Sequence, residues 1–380
     1  MCSITITASA YQKKDEKYQC STHYKMTTSL KRNMENMTVS PLPVTISENT
    51  TDYMYYYDDP VMDGVYHFSM VIYAVAFVLG TIGNGLVIWI AGFKMRKTVN
   101  VVWFLNLAVA DFIFTFFLPL SIAYLALGFH WPFGNFMCKF NSALAFLNMF
   151  ASIFTLTVIS IDRFVSVVFA VWAQNHRTLC LASIVSVVIW GFALCFSLTY
   201  FIFRDTKEEK DGTIFCYNNF HETDTDLLLM RLTATVITRS ICGFFIPFTV
   251  IVASYVVIAL RVHRNHMTTS TKPFKVIVAV MVTFFVCWLP YHIIGFVELY
   301  SFDKNDYSLQ RIIKILSPFV SSMAFLNSCI NPFLYVFIGR DFKTKFRTSI
   351  QSIFERAFME DNQQADLRSK TKSTSDSMVV

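Results

Sequence analysis

The feature that most constrains the fold is a series of seven apolar segments. Each is long enough for a helix of about 20 residues, which crosses the ~30 Å hydrocarbon core of a bilayer. Of the 380 residues only 15% are charged, against about 25% in a typical soluble domain. The segments cover roughly residues 68–93, 99–127, 136–169, 178–203, 232–260, 275–298 and 313–338. We therefore predict an all-α membrane protein with a bundle of seven transmembrane helices over 68–338.

Basic residues are concentrated in alternate connections. Lys94, Arg96 and Lys97 follow the first segment, and Arg261 and Arg264 follow the fifth. The connections on the other side carry most of the acidic residues. Because cytoplasmic loops are enriched in Lys and Arg, we predict a multi-pass plasma-membrane protein with its N-terminus outside and its C-terminus inside. The net charge of +6 then reflects membrane topology, and no nucleic-acid partner is expected.

Residues 1–67 form a polar segment that we interpret as an extracellular tail. Met34 is an alternative start, so that 1–33 would be an upstream extension. Asn36 and Asn49 begin N-glycosylation sequons, which are meaningful only outside the cell. The acidic tyrosine cluster over 52–59 is either a disordered leader or a sulfated site that attracts a basic ligand.

The C-terminal region is predicted to have two parts. Phe342, Phe346 and Ile350 recur at four-residue spacing beside basic residues, which is typical of an amphipathic helix lying on membrane lipid. We place this short eighth helix at 339–354 and a cytoplasmic tail at 355–380. The hydroxyl-rich end of the tail is either simply disordered or a target of receptor kinases.

A buried charge inside the second segment predicts an ion site. Asp111 has no charged neighbour in sequence, and an isolated buried carboxylate either binds a proton or recruits a cation. The pairs Asn148/Ser152 and Asn327/Asn331 are each four residues apart and so share a helix face. We expect these side chains to surround a sodium ion with Asp111 as its charged ligand; the alternative is a hydrogen-bonded polar network.

Several motifs occur in order along the segments: Gly83-Asn84, LAVAD ending at Asp111, Cys138, Asp162-Arg163-Phe164, Trp190, Pro247 with Tyr255, CWLP at 287–290 and NPFLY at 331–335. Together they resemble the rhodopsin-like (class A) G-protein-coupled receptors. The resemblance implies a disulfide between Cys138 and Cys216. It also implies an activation switch formed by Asp162, Arg163, Trp288, Pro247, Ile153, Phe284, Tyr255 and Tyr335. Ser270 replaces the acid that holds the arginine in some relatives, so we expect the inactive state to rely on Asp162 to hold Arg163.

The connecting segments, among them HWPFGNFMCK and NSCINPFLYVF, resemble the formyl-peptide and chemerin-type branch of the chemoattractant receptors. The resemblance implies a peptide, protein or lipid chemoattractant, an inhibitory (Gi-type) G protein, and arrestin and receptor kinases as partners in leukocyte chemotaxis and inflammation. Arg239 is an anomalous charge that could bind a ligand carboxylate; a structural pair or a snorkelling side chain is the alternative. The expected ligand-binding residues are Arg239, Arg204, His292, Glu298, Phe146 and Tyr291.

Two other functions remain open. An atypical scavenging receptor would internalise its ligand without G-protein signalling, although the intact Asp162-Arg163 pair and NPFLY argue against it. A transporter would need an internal repeat or a hydrophilic path, and neither is visible in the sequence. We also see no catalytic pattern and expect no enzymatic activity.

Overall fold

The computed structural model describes residues 60–264, 271–304 and 306–338, with positions 344, 347 and 348. Its helices are α1 Pro60–Trp89, α2 Val99–Ala126, α3 Gly134–Val168, α4 Ala170–His176, α5 Leu179–Phe203, α6 Thr225–Arg264, α7 Thr271–Lys304 and α8 Tyr307–Ile338. All of these except the short α4 contain a segment long and apolar enough to cross a membrane. The predicted seven-helix membrane fold is confirmed.

Helix α3 lies at the centre of the bundle. It packs against α2, α5 and α6, and the pairs α1–α2, α2–α5, α6–α7, α7–α8 and α8–α1 pack together around it. The inward face of α3 carries Met149, Phe150, Ile153, Leu156 and Ile159, all at most 2% exposed. A helix with this many buried apolar side chains is stabilised by packing along its whole length.

Side-chain caps fix the starts of three helices. Thr98 and Thr178 accept hydrogen bonds from the amides of Val101 and Leu181 at the starts of α2 and α5. Asp224 does the same for Leu227 at the start of α6. Each cap satisfies a backbone donor that has no partner within its helix.

Several helix ends differ from the predicted segments. Helix α1 begins at Pro60 and α6 at Thr225, not at residues 68 and 232, and α7 extends to Lys304. The added turns contain polar residues. The sequence prediction missed them because it followed only the apolar stretch, and a helix can continue past that stretch. The predicted loop 204–231 also contains an antiparallel hairpin of β1, Arg204–Glu208, and β2, Ile214–Asn218.

Proline shapes the middle of α6. A π-helical turn, Ile241–Phe245, comes just before Pro247, and the amide of Ile246 bonds to the carbonyl of Ile241. Proline lacks an N–H and crowds the carbonyl four residues earlier, so the wider turn relieves that crowding.

Some predicted features lie outside the described residues. They are the tail over 1–59 with Asn36 and Asn49, most of the eighth helix at 339–354, the cytoplasmic tail, Ser270 and the side chain of Tyr335.

Candidate functional site

A cavity of about 440 Å³ lies in the half of the bundle nearest the hairpin. All seven long helices and both strands contribute to its wall, and its volume is in the range of small-molecule and peptide sites. Most of the predicted ligand-binding residues line it, namely Arg239, Arg204, Phe146, Tyr291 and Glu298.

Arg239 on α6 is the most strongly buried charge in this wall, at 7% exposure. Its Nη1 donates a hydrogen bond to the Tyr291 hydroxyl at 3.3 Å. Its guanidinium carbon lies 4.7 Å from the centre of the Tyr291 ring and 5.9 Å from that of Phe146, which is cation–π distance. Its Nε is buried without a hydrogen-bond partner among the described residues.

The charge of Arg239 is not neutralised by direct contact. Glu298 lines the same cavity and interacts with it electrostatically, but the ion pairs found within 4.0 Å in the described ranges do not include either residue. Buried ions are normally paired and fully hydrogen-bonded. The site therefore has the capacity to accept an anion.

Arg204, which is predicted to bind the ligand, lines the cavity and is hydrogen-bonded within the hairpin. Its Nη2 and Nη1 donate to the Cys216 carbonyl at 2.9 Å and to Asn218 Oδ1 at 2.8 Å, and its Nε points to Cys216 Sγ at 3.2 Å. Burial lowers the pKa of the guanidinium below its ordinary value. Although Arg204 lines the cavity, its donors fasten the start of β1 to β2 and are already used within the protein.

His292, which is predicted to bind the ligand, lies away from the cavity. It is 2% exposed, its Nδ1 lies 3.2 Å from the Ser240 hydroxyl, and its ring is 4.9 Å from that of Phe244. It is not among the residues that line the cavity. Because it lies one position after Tyr291 on α7, it points toward α6 while Tyr291 points inward.

The floor of the cavity is aromatic. Phe146 stacks on Tyr200 with ring centres 3.2 Å apart. Trp288 lies below, 5.9 Å from Phe284 and 5.7 Å from Tyr291 between ring centres. The other predicted switch residues near this level, Ile153 and Pro247, are buried. A ligand in the cavity would thus contact a series of packed aromatic rings that extends toward the middle of the bundle.

Of the residues predicted to form the ion site, Asn148 and Asn331 contact Asp111, which is fully buried, and Ser152 contacts Asn148. Asn327 is also buried. Asn331 Nδ2 donates to the Asp111 carboxylate at 2.8 Å. The Asn148 amide lies 3.0 Å from the same carboxylate and 2.8 Å from the Ser328 hydroxyl. Ser152 is 3.4 Å from the Asn148 amide. The described residues contain no group of three or more His, Cys, Asp or Glu side chains that could hold a metal.

This cluster fits a small hard cation. The buried Oδ1 atoms of Asn84, Asn327 and Asn331 have no hydrogen-bond partner among the described residues. Neutral oxygens around one carboxylate are the ligands that such cations prefer, and unpartnered buried oxygens are uncommon in folded proteins.

At the opposite end of the bundle the predicted switch has a different pairing. Arg177 donates to Asp162 from Nε at 2.7 Å and from Nη2 at 3.0 Å. Arg163 Nη2 lies 4.0 Å from Asp162 and donates instead to Asn100 Oδ1. Asp162 thus lies within ion-pair distance of both arginines, and its shorter contacts are with Arg177; that it holds Arg163 in the inactive state stays a prediction. Tyr255 interacts electrostatically with Arg163.

The disulfide between Cys138 and Cys216 is present. It joins the first turn of α3 to β2 and packs with Trp131 in a small apolar cluster. The hairpin is therefore held over the end of the bundle beside the cavity.

Sequence reasoning missed several residues of the site. Tyr200 and Gly295 line the cavity, while Asn100 and Arg177 form the pairs at the other end. Arg177 is recognisable in the sequence as a basic residue. Its partner Asp162 lies 15 residues earlier in the chain, and no sequence pattern joins the two. Tyr200 and Gly295 carry no sequence signal that would distinguish them from ordinary helix residues.

A bundle of seven membrane-length helices, with the buried Arg239 in a cavity at one end and an Asp-Arg pair at the other, is the arrangement of a heptahelical membrane receptor. The family model described as 7 transmembrane receptor (rhodopsin family) matches residues 83–335. The chain belongs to this rhodopsin family of G-protein-coupled receptors.

Named relatives narrow the similarity. Chemerin-like receptor 1 of Rattus norvegicus is 44% identical over 306 residues, covering 77% of this chain and 81% of the relative. Chemerin-like receptor 2 of Homo sapiens is 43% identical over 304 residues, covering 80% and 85%. The C3a anaphylatoxin chemotactic receptor of Oncorhynchus mykiss is 45% identical over 294 residues, covering 77% and 79%.

Proposed function

We propose that this receptor binds a peptide or protein chemoattractant whose free C-terminal carboxylate pairs with Arg239, and that it signals through a Gi-type G protein. The single observation that carries the binding mode is the buried Arg239 guanidinium, which has an unpartnered Nε and no acid within ion-pair distance among the described residues. A planar guanidinium can receive a carboxylate with two parallel hydrogen bonds.

The similarity to chemerin-like receptors favours a chemerin-like ligand over a formylated peptide. The resemblance to formyl-peptide receptors implies that those receptors use an acid and two arginines at the positions that match Phe146, Thr235 and Arg239 of this chain. Two uncharged positions remove the charges expected for formyl-methionine recognition. A lipid mediator with a carboxylate would satisfy the same guanidinium.

The cavity end of the bundle is proposed to be extracellular. Acidic residues of the hairpin and Cys138–Cys216 then lie outside the cell, and the basic connections lie in the cytoplasm, in accord with the charge distribution expected for membrane proteins. The Asp162–Arg163 end would face the G protein and, after phosphorylation of the tail by receptor kinases, arrestin. In this role the receptor works without catalysis.

Ligand binding acts by shifting a conformational equilibrium. A ligand favours the signalling state only to the extent that it binds that state better than the resting one. If the ligand contacts Tyr291 and Trp288, its preference for the signalling state would be transmitted through these packed rings to Phe284. A sodium ion at Asp111, held by Asn148, Ser152, Asn327 and Asn331, would favour the resting state and oppose agonist binding.

Gi activation in cells that display the receptor tests this proposal. The ligands would be the chemerin C-terminal peptide, a formyl peptide, complement fragments and lipid mediators, each with untransfected cells as control. We expect a saturable, pertussis-toxin-sensitive response to the chemerin peptide. Uptake of that peptide without Gi activation would instead establish the scavenging function, and the absence of both would refute the ligand class.

A further inference from the structure

A second cavity, of about 240 Å³, lies between α5 and α6 and is separate from the central one. Phe196, Thr199 and Phe203 of α5 form one wall, and Arg231, Ala234 and Thr238 of α6 form the other. Tyr200, Thr235 and Arg239 line both cavities. These three residues are therefore the partition between the central site and this outer one, which we call the lateral cavity.

The lateral cavity opens to the bilayer. Helices α5 and α6 each pack on α3, and the cavity lies between them, with Phe150 of α3 also lining it. Ala234 and Thr238 are both exposed at the surface of the bundle and, being four residues apart, lie on one face of α6. This stretch belongs to a helix that contains a segment long and apolar enough to cross a membrane, and we infer that it faces lipid.

The inner end of the lateral cavity is cationic. Arg239 is 7% exposed and its Nε has no hydrogen-bond partner in the described part of the chain. Arg231, nearer the hairpin, is already engaged, because its Nη1 donates to the Phe220 carbonyl at 2.7 Å and its guanidinium lies over the Phe203 ring. The deeper arginine is thus the one with an unpartnered Nε and with no acid within ion-pair distance among the described residues. Burying the charge of Arg239 without an acid partner costs free energy, and an anion that enters from the lipid would stabilise this charge.

We propose that the lateral cavity binds a single-chain amphiphile with a carboxylate headgroup, such as a long-chain fatty acid, whose carboxylate pairs with Arg239. Eight residues of helix separate Arg231 from Arg239, a rise of about 12 Å. A flexible single chain can carry its headgroup that far between two helices. The headgroup of a two-chain phospholipid is held at the bilayer surface by its glycerol and both tails.

Competition between the fatty acid and the peptide for Arg239 is a consequence that rests on the proposed function. If a peptide carboxylate also pairs with Arg239 from the central cavity, the two carboxylates compete for one guanidinium, and the fatty acid reduces peptide affinity. Binding of the fatty acid itself does not depend on what the central cavity holds.

Photolabelling of the full-length receptor in neutral nanodiscs tests the proposal. The probe is stearic acid with a diazirine in its chain, and labelled peptides are mapped by mass spectrometry. We expect saturable labelling within 196–203 and 231–238, displaced by oleate and not by methyl oleate. Arg239→Gln should weaken displacement by oleate about tenfold, since a charge-assisted pair is lost.

Matched variants separate the two cavities. Ala234→Phe fills only the lateral cavity and Ala145→Phe only the central one. We expect the first to abolish labelling and the second to preserve it, with Thr238→Phe, at another exposed position, repeating the first result. Retention of the thermal unfolding temperature establishes that each variant is folded. Unchanged labelling in both lateral variants, equal displacement by methyl oleate, or equal displacement by phosphatidylglycerol would overturn the proposal.

Discussion

Asp162 accepts two hydrogen bonds from Arg177, at 2.7 Å and 3.0 Å, whereas Arg163 lies 4.0 Å from the same carboxylate. The two arginines therefore compete for one acid. They also share Asn100, whose Oδ1 accepts from both. We infer that Arg177 influences whether Arg163 is held against Asp162 or left available to a partner at this end of the bundle.

Removal of Arg177 should strengthen the hold on Arg163. We expect Arg177→Ala to lower basal G-protein activation roughly fivefold, because a partly exposed ion pair contributes about 1 kcal/mol to a two-state equilibrium. Nucleotide exchange on a purified Gi protein measures it. Asp162→Asn should raise basal exchange, and the double variant should behave like Asp162→Asn because no carboxylate remains. Higher basal exchange in Arg177→Ala alone would contradict the competition.

Gly295 lies close to the guanidinium of Arg239, the proposed partner of the ligand carboxylate. A Cβ at this position would contact Arg239 Nη2, the far end of a flexible side chain. We expect Gly295→Ala to fold normally but to displace the guanidinium and reduce the potency of a carboxylate ligand about tenfold. Gly191→Ala, which meets no atom within 4 Å, is the matched control. Equal potency of the two variants would place the ligand carboxylate elsewhere.

The seven helices were predictable because about 20 apolar residues suffice to specify a membrane span. The polar cluster at Asp111 was also predictable, since Asn148/Ser152 and Asn327/Asn331 are fixed by helical spacing. The polar first turns of α1 and α6 could not be predicted in this way, because each helix begins before its apolar stretch does. The partners of Arg177 and Arg204 depend on tertiary contacts, which leave no periodic signal in the sequence.

Asp111 should determine the response of agonist binding to sodium. In the wild-type receptor, replacing N-methylglucamine chloride by sodium chloride at constant ionic strength should weaken agonist binding. A coupling of 1–3 kcal/mol is typical for allosteric sites, so we expect about a tenfold effect. Asp111→Asn removes the charge and should abolish it. Persistence of the sodium effect in this variant would locate the ion at another site.

The hairpin depends on an ionised Asp205. Burial opposes its ionisation, but hydrogen bonds from Thr206, Asn135 and Asn219 outweigh it and hold the pKa of Asp205 below its ordinary value. A lowered pKa in the folded state means that this stabilisation is present above about pH 4 and is lost as the pH falls through the lowered pKa.

We therefore expect Asp205→Asn to accelerate hydrogen exchange over 204–218 about fivefold at pH 7, equivalent to ~1 kcal/mol of lost hydrogen bonding. The difference from wild type should remain at pH 5 and shrink below pH 4. Glu208→Gln, an equivalent change at an exposed position of the same strand, should leave exchange unchanged. A difference that grows toward low pH would have the wrong sign for this account.

The most direct test of the central claim compares a chemerin C-terminal peptide as free acid and as C-terminal amide, on wild-type receptor and on Arg239→Gln. Amidation removes the negative charge and retains the rest of the peptide. If the carboxylate pairs with Arg239, amidation should cost wild type at least tenfold in Gi-activation potency and cost Arg239→Gln almost nothing. An equal loss on both receptors would contradict the assignment of Arg239 as the carboxylate partner.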